Sequence, residues 1–438
     1  MALGLCRARG LRRLKPSLIS HIEGGVPLQC RDYRLTGRLL SSSTSLGMKE
    51  AFSYTPPTPS FAKSSNAYLP RKAGQKTFAI GDIHGDLPKL LMALMSAKLI
   101  TQTPNSTSDE DVTLSDFKWS GGDSVLVQVG DILDRGSFEC ACLHLLATLS
   151  HQAAEEGGGV VFCLGNHEVL NALGLFNYAD KEGNTEFESI FGGYFDHVEE
   201  GGEWRLNYAG NQPTRWRCWE PGGALANFNL LNNFVLGTQV GRSVFVHGGI
   251  TKEHLEKYGG LQGMNDMARD WFENASHEAP EPPLTPDTPP EEIIASAKKR
   301  AKSISSSMPP FLGGGPSERA SPVWMRDYSK PNDVTPSNSS APVLAQEALD
   351  YIGSEAGEEA RRFVVGHTPQ TRINSACEGM VWRVDVGMSA GVMNNVPEIL
   401  EITTGDVSDE INIIRPGKED KVKGEDRECR AGGSTLVR

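Results

Sequence analysis

Val125-Leu126-Val127-Gln128-Val129 runs directly into Gly130-Asp131-Ile132-Leu133-Asp134-Arg135-Gly136. The first five residues read as a short buried strand. The glycine-bounded block ends it and sets two acids and an arginine just beyond its carboxyl end, where open α/β sheets bind ligands. The same arrangement recurs outward from this stretch. A β-type run at 77–80 leads into Gly81-Asp82-Ile83-His84-Gly85-Asp86, and a run at 160–164 into Gly165-Asn166-His167-Glu168. Residues 243–246 precede His247-Gly248-Gly249, and residues 363–365 precede Gly366-His367-Thr368-Pro369. Further strands are expected at 234–240, 381–386 and 397–402. Residues 87–100 and 138–149 are apolar at helical spacing. Short apolar runs alternating with helical ones predict parallel βαβ units and an α/β fold.

Each block alone has a bland reading. A lone Asp at a strand end caps the next helix, and a lone His beside glycine fills a turn. Recurrence outweighs that reading: five predicted strands each end in glycine next to Asp, Asn or His. Of ten histidines, His84, His167, His247 and His367 all fall in these places. Imidazole and carboxylate donors favour Zn, Fe and Mn over Ca, and no cysteine is placed to compete. Two such ions about 3.5–4 Å apart clamp a phosphoryl group and generate hydroxide at neutral pH. One carboxylate has to bridge them, and Asp131, in the middle block, is the best candidate.

The chain has 438 residues, 38% hydrophobic and 22% charged, with a formal charge of −12. No apolar run approaches the roughly 18–20 residues of a membrane helix, and the acidic balance argues against a nucleic-acid partner. The eight cysteines are scattered, without zinc-ribbon or disulfide-scaffold spacing. Residues 1–38 carry eight Lys and Arg against two acids, so the rest of the chain carries −18. An acidic body must hold an anionic substrate by local cations.

Residues 1–75 read as a leader and linker: arginine clusters, hydroxyl-rich 41–45, few acids, then a proline-rich stretch. This is the pattern of an organelle transit peptide, with chloroplast ahead of mitochondrion and a basic tail of a cytosolic protein as the alternative. Residues 76–415 are expected to fold, and 416–438 to form a disordered tail. Two insertions interrupt the folded part. Residues 175–222 hold Tyr178, Tyr194, Trp204, Tyr208, Trp216 and Trp219, and read either as a cap over the site or as a small subdomain packed on its own aromatics. Residues 278–318, rich in Pro, Ser and Gly, read as a long mobile loop.

In order and content, the five blocks resemble those of the metallophosphoesterase superfamily, and within it the phosphoprotein phosphatases. Pro221-Gly222-Gly223, Val323-Trp324-Met325-Arg326 and Trp382-Arg383-Val384-Asp385-Val386-Gly387-Met388-Ser389 narrow the resemblance to the bacterial-like, Shewanella-like protein phosphatases. It spans roughly 77–402. The R-G-x-G block and the C-terminal aromatic motif of the typical eukaryotic Ser/Thr phosphatases are missing.

The resemblance implies a four-layer α/β/β/α sandwich carrying the aromatic-rich insertion, and two divalent ions (Mn, Fe or Zn). Asp82 and His84 would hold the first ion, Asn166, His247 and His367 the second, and Asp131 both. His167 would protonate the leaving oxygen as general acid, oriented by Asp134, and Arg135 would grip phosphate oxygens. Arg326 is a looser match for a second phosphate clamp, with a surface ion pair as its alternative. Asp385 would support the site from behind or serve as a turn or cap.

The implied reaction is phosphomonoester hydrolysis by in-line attack of metal-bound hydroxide on a phosphoprotein or phosphopeptide, at phosphotyrosine or at phosphoserine and phosphothreonine. A dinucleoside-polyphosphate or other small-molecule phosphohydrolase is the alternative. A catalytically silent binding scaffold is the alternative of another class. Intact candidate ligands and an intact His167 argue against that scaffold.

Overall fold

The computed structural model describes residues 67–103, 113–198, 213–223, 234–274, 289–314, 318–330 and 340–422. The expected transit peptide, Trp204 and Tyr208 therefore lie outside the described residues. In chain order the strands are β1 (Tyr68–Leu69), β2 (Lys76–Ile80), β3 (Ile100–Gln102), β4 (Phe117–Trp119), β5 (Val125–Gln128), β6 (Gly159–Cys163), β7 (Phe234–Val235), β8 (Gly237–Val240) and β9 (Ser243–Val246). They continue with β10 (Arg362–Val365), β11 (Asn374–Ala376), β12 (Val381–Arg383), β13 (Ile399–Thr403), β14 (Glu410–Arg415) and β15 (Lys418–Val422). The helices are α1 (Leu87–Ser96), α2 (Glu139–Glu155), α3 (Asn166–Ala172), α4 (Lys181–Val198), α5 (Pro213–Trp219), α6 (Lys252–Tyr258), α7 (Gly260–Asn274), α8 (Pro290–Ser307) and α9 (Ala341–Ala356).

Two large mixed sheets form the centre, a seven-stranded one ordered β15-β14-β13-β2-β5-β6-β7 and a six-stranded one ordered β1-β8-β9-β10-β12-β11. In the first, β2, β5, β6 and β7 are parallel. In the second, β9, β10 and β12 are parallel. β5 and β9 are buried along their whole length, and β10 is too. Strands covered on both faces read as continuous apolar runs, and this is why they stood out in the sequence. The sheets meet directly: Cys163 Sγ on β6 lies 4.0 Å from the Phe245 carbonyl on β9. Helix α2 packs on β6, and α9 on β10. This is the α/β sandwich expected. Its consequence for function is geometric, because β2, β5 and β6 of one sheet and β9, β10 and β12 of the other end at one place.

Several boundaries differ from the sequence reading. Tyr68–Leu69, assigned to the linker, pairs with β8, and the Arg71 guanidinium donates to the Lys76 and Asp123 carbonyls at 3.0 and 2.8 Å. The first helix stops at Ser96 because Lys98 takes a left-handed turn, φ 56°. The run at 234–240 breaks at Leu236, where the Asn265 side chain takes the Leu236 and Gly237 N–H groups.

Within 278–318, residues 290–307 form α8 and not loop. Its Pro290 at the first position and Glu291 and Glu292 in the first turn suit a helix start, and Ala297 and Ile304 are buried. The tail expected from 416 onward instead begins with β15, paired with β14.

Phe245 is fully buried on β9, an inner strand of the six-stranded sheet. Phe245→Ala is expected to cost about 3–5 kcal/mol through the cavity it leaves, read as a lowered urea midpoint. An unchanged midpoint would mean that Phe245 is not packed in the core.

Candidate active site

The strand ends turn sharply. His84, Asp131, Asp134, Arg135 and His367 all adopt positive φ, 46° to 69°. Non-glycine residues rarely do, at a cost of order 1–3 kcal/mol each, so the surrounding structure has to hold them. Glu168 does much of this. Its buried carboxylate takes the N–H groups of Asp131 (2.9 Å), Ile132 (2.9 Å), Leu133 (3.2 Å) and Gly165 (2.8 Å). The Asp131 carbonyl accepts from the Ile83 and His84 N–H groups, each at 3.0 Å, locking the first motif onto the second. Gln128, the polar residue inside the apolar run of β5, donates to the Gly130 carbonyl at 2.6 Å and accepts from its N–H at 3.0 Å.

The structure brings together Asp82, His84, Asp131, Asn166, His167, His247 and His367, all buried. Asp131 Oδ2 is central, 3.2 Å from His247 Nε2 and 3.9 Å from the Nε2 atoms of both His84 and His167. His84 Nε2 lies 4.0 Å from Asp82 Oδ2, and Asn166 Oδ1 lies 3.1 Å from His247 Nε2. Asp82 Oδ1 accepts the His367 N–H at 3.2 Å. Two donor groups with metal-like spacing result: His84, Asp131 and His167, and Asp131, His247 and His367.

Three of the imidazoles are held by backbone carbonyls. His84 Nδ1 meets the Leu133 carbonyl at 2.7 Å, His247 Nδ1 the Val129 carbonyl at 2.7 Å, and His367 Nε2 the Trp324 carbonyl at 3.2 Å. Such a contact fixes the tautomer and leaves the second ring nitrogen as a lone-pair donor. His167 differs: its Nδ1 meets a carboxylate, Asp134 Oδ2, at 2.6 Å.

Electrostatics follow from burial and crowding. Burial, then repulsion from His167, pulls His84 down to about 4. Burial and His247 pull His367 well down. Burial also lowers His247, but the attraction of Asp131 outweighs it and the net shift is upward. Burial pushes Asp82 well above the carboxylate range, reinforced by Asp385 and Asp131. Asp385, behind Asp82, is pushed by burial to about 6.

The arginines of the sequence reading lie at the margin. Arg135 is half-buried, its guanidinium 5.0 Å from the Tyr178 ring and its backbone N–H donating to the Tyr178 carbonyl at 2.8 Å. Arg326 donates to the His367 carbonyl (3.1 Å) and Thr368 Oγ1 (2.9 Å), so it steadies the turn that carries His367. Asp385 accepts the Gly387 N–H at 2.8 Å, the turn role left open by the sequence.

The calcineurin-like phosphoesterase profile matches residues 76–308. A curated relative, Shewanella-like protein phosphatase 2 of Arabidopsis thaliana, is 30% identical over 353 residues, 75% of each chain. The chain belongs to the calcineurin-like phosphoesterase family. It is a hydrolase of a family that works through a dinuclear metal centre. Among solved structures it is similar to a cold-active protein tyrosine phosphatase, 18% identical with a TM-score of 0.54 over 83% of this chain and 82% of the other. A second, the enzyme of a psychrophilic Shewanella species, is 19% identical with a TM-score of 0.51 over 83% and 84%. At that identity the likeness speaks for the fold.

Sequence reasoning missed several residues of this phosphoesterase site. Glu168, inside Gly165-Asn166-His167-Glu168, braces the loop that carries Asp131. Glu139 accepts the Asp134 N–H at 3.1 Å, and Asn171 and Arg215 both donate to Asp134. Tyr178 packs 5.1 Å from His167. Glu139 left a visible signal, an acid at the head of an otherwise apolar helix. Arg215 left almost none, because its helix is too short to show periodicity. The insertion at 175–222 is neither a detached subdomain nor simply a cap. Trp216 and Trp219 are buried in the main core, and Tyr178 borders the site.

A Cβ on Gly165 would fall 2.2 Å from Asp131 Oδ1, whereas one on Gly159 would meet nothing within 4 Å. Gly165→Ala is therefore expected to abolish measurable phosphatase turnover, and Gly159→Ala to leave it within about twofold, since it places a methyl group in open space. Comparable activity in the two variants would contradict the placement of Asp131.

Proposed function

We propose that this phosphoesterase is a protein phosphatase with two divalent cations. Asp82, His84 and Asp131 would hold the first, and Asp131, Asn166, His247 and His367 the second. The observation that carries the reading is Asp131 Oδ2 at the focus of three imidazoles, in a site with too little positive charge of its own. Asp385 is buried against Asp82, so carboxyl groups crowd this side of the site and a cation would favour their ionised form. Hard carboxylate and imidazole donors without thiolate support Mn, Fe or Zn.

When bound, the cations supply Lewis acidity and a nucleophile at neutral pH. Arg135, steadied against Tyr178, grips the phosphate oxygens through its planar fork. His167, with Nδ1–H held by Asp134, carries a second proton on Nε2 and delivers it to the departing oxygen. Arg326, whose Nη1 steadies the turn that carries His367, would be the second phosphate clamp. The spacing of the donor atoms alone would also admit His167 as a ligand; its carboxylate partner favours the acid role.

The substrate reading rests on the relatives and on the rim. The curated relative is named a protein phosphatase, and the similar solved structures are titled tyrosine phosphatases. Tyr178, 47% exposed, stands beside His167 on one side, and Trp324 lies edge-on 5.9 Å from His367 on the other. Two aromatic walls suit the ring of phosphotyrosine. The basic, acid-poor leader supports delivery to an organelle, chloroplast ahead of mitochondrion.

Two variants test the assignment. Asp131→Asn is expected to lose most bound metal by elemental analysis, and retention of two full equivalents would refute the bridging role. His167→Asn is expected to lower kcat by about 10²-fold or more with metal content unchanged; parallel loss of metal would make it a ligand. A panel of phosphotyrosine, phosphoserine and phosphothreonine peptides with diadenosine tetraphosphate tests the substrate class. Turnover of the dinucleotide alone would replace the protein-phosphatase reading.

A further inference from the structure

Behind His167 lies a closed ring of buried polar groups centred on Asp134. Asp134 is fully buried and both its oxygens are occupied. Oδ2 takes His167 Nδ1 at 2.6 Å, and Oδ1 takes Arg215 Nη2 at 2.8 Å and Asn171 Nδ2 at 3.1 Å. Arg215, itself fully buried, also donates Nε to Asn171 Oδ1 at 2.5 Å and sits 2.6 Å from Glu139 Oε2. Glu139 closes the ring by accepting the Asp134 N–H at 3.1 Å. The guanidinium lies over the Phe187 ring at 4.9 Å and the Phe176 ring at 5.9 Å, so it has little freedom.

We propose that Arg215, supplied by the insertion helix α5, is a positioning residue for proton delivery, holding Asp134 so that its Oδ2 stays on the His167 imidazole. This rests on the reading of His167 as the general acid. A carboxylate held by the imidazole alone is free to turn about its Cβ–Cγ bond and exchange oxygens. Two donors on Oδ1, one from a planar and permanently charged fork, fix that torsion. The same fork supplies the resident positive charge that a buried Asp134 needs whenever His167 is neutral. Among the described residues, none of the hydrogen bonds or ion pairs of Arg215 reaches Asp82, His84, Asp131, Asn166, His247 or His367. Its influence is confined to the acid side of the site. The insertion thus completes the site from behind the general acid.

The test separates positioning from simple tethering of α5. The metal-loaded full-length enzyme and its variants are assayed on phenyl phosphate, a poor leaving group that needs the proton, and on 2,4-dinitrophenyl phosphate, which does not. For Arg215→Met, kcat on phenyl phosphate is expected to fall about 30-fold, within the range that general acid help supplies. On the dinitrophenyl ester it should fall less than about threefold, with KM and metal content unchanged, because that leaving group needs little proton assistance. Arg215→Lys, which keeps the charge without the fork, is expected to fall between. An equal loss on both substrates, loss of metal, or no loss would overturn the proposal. If Arg215→Met yields no folded protein, the substrate ratio of Arg215→Lys decides by the same criterion. His167→Asn is the internal control. If it shows no leaving-group dependence, the general-acid reading fails; if it does and Arg215 variants do not, only the present inference falls.

Discussion

The constraint on which this site depends is the burial of the Asp131 carboxylate at the meeting point of two sheets. Its Oδ1 takes the His167 N–H at 2.9 Å, and its Oδ2 faces three imidazoles. That geometry is reachable only if the chain after β5 makes a left-handed turn at a non-glycine residue, which L-residues avoid. Glu168 stabilises the turn by gathering four N–H groups on one carboxylate. Gly130 and Gly165 keep side-chain bulk out of the same space: a Cβ on Gly130 would meet His247 Nδ1 at 2.6 Å. The glycines that flank the motifs are there because the turns bearing these aspartates and histidines press against one another.

What could be read without coordinates follows from this packing. Buried parallel strands read as apolar runs, and sharp turns at their ends read as glycine beside a polar residue. The positions of His84, Asp131, His247 and His367 were therefore visible without structure. Edge elements were not. β1 is two residues long and β15 is mostly charged, so the one reads as linker and the other as tail. Helix α8 was hidden because proline and serine dominate its surroundings, while its own interior is rich in alanine and lysine, good helix formers. Arg215 was hidden for another reason. Its partner Asp134 lies 81 residues away, and no local pattern encodes a contact at that range.

The segment that contains α8 also bears on the site. Arg300 of α8 pairs with the buried Glu220, just beyond α5, and its guanidinium stands 5.7 Å from the Trp216 ring. Helix α5 is thus held from outside by α8 and reaches inward with Arg215. A helix of seven residues has little stability of its own, so its fixed position has to come from these tertiary contacts. The insertion is integral to the fold through them, with Trp216 and Trp219 buried in the shared core.

The buried acids of this region divide according to what neutralises them. Glu168 is solvated by backbone N–H groups. Asp134 and Glu139 share Arg215, and Glu186 accepts the Cys140 and Ala141 N–H groups at the head of α2. Among the described residues, Asp82, Asp131 and Asp385 have no basic side chain other than histidine against them. Burying a carboxylate without compensation costs several kcal/mol, so three such groups together either take up protons or are met by positive charge. Protonation is the route the side chains themselves offer: burial pushes Asp82 and Asp385 up, while the imidazoles divide, His84 and His367 pulled down and His247 drawn up by Asp131. The divalent cations proposed for this site would meet the same need with the carboxylates ionised. On the proposed reading, metal chemistry would lie on one side of Asp131 and proton delivery on the other, with His167 at the border between them.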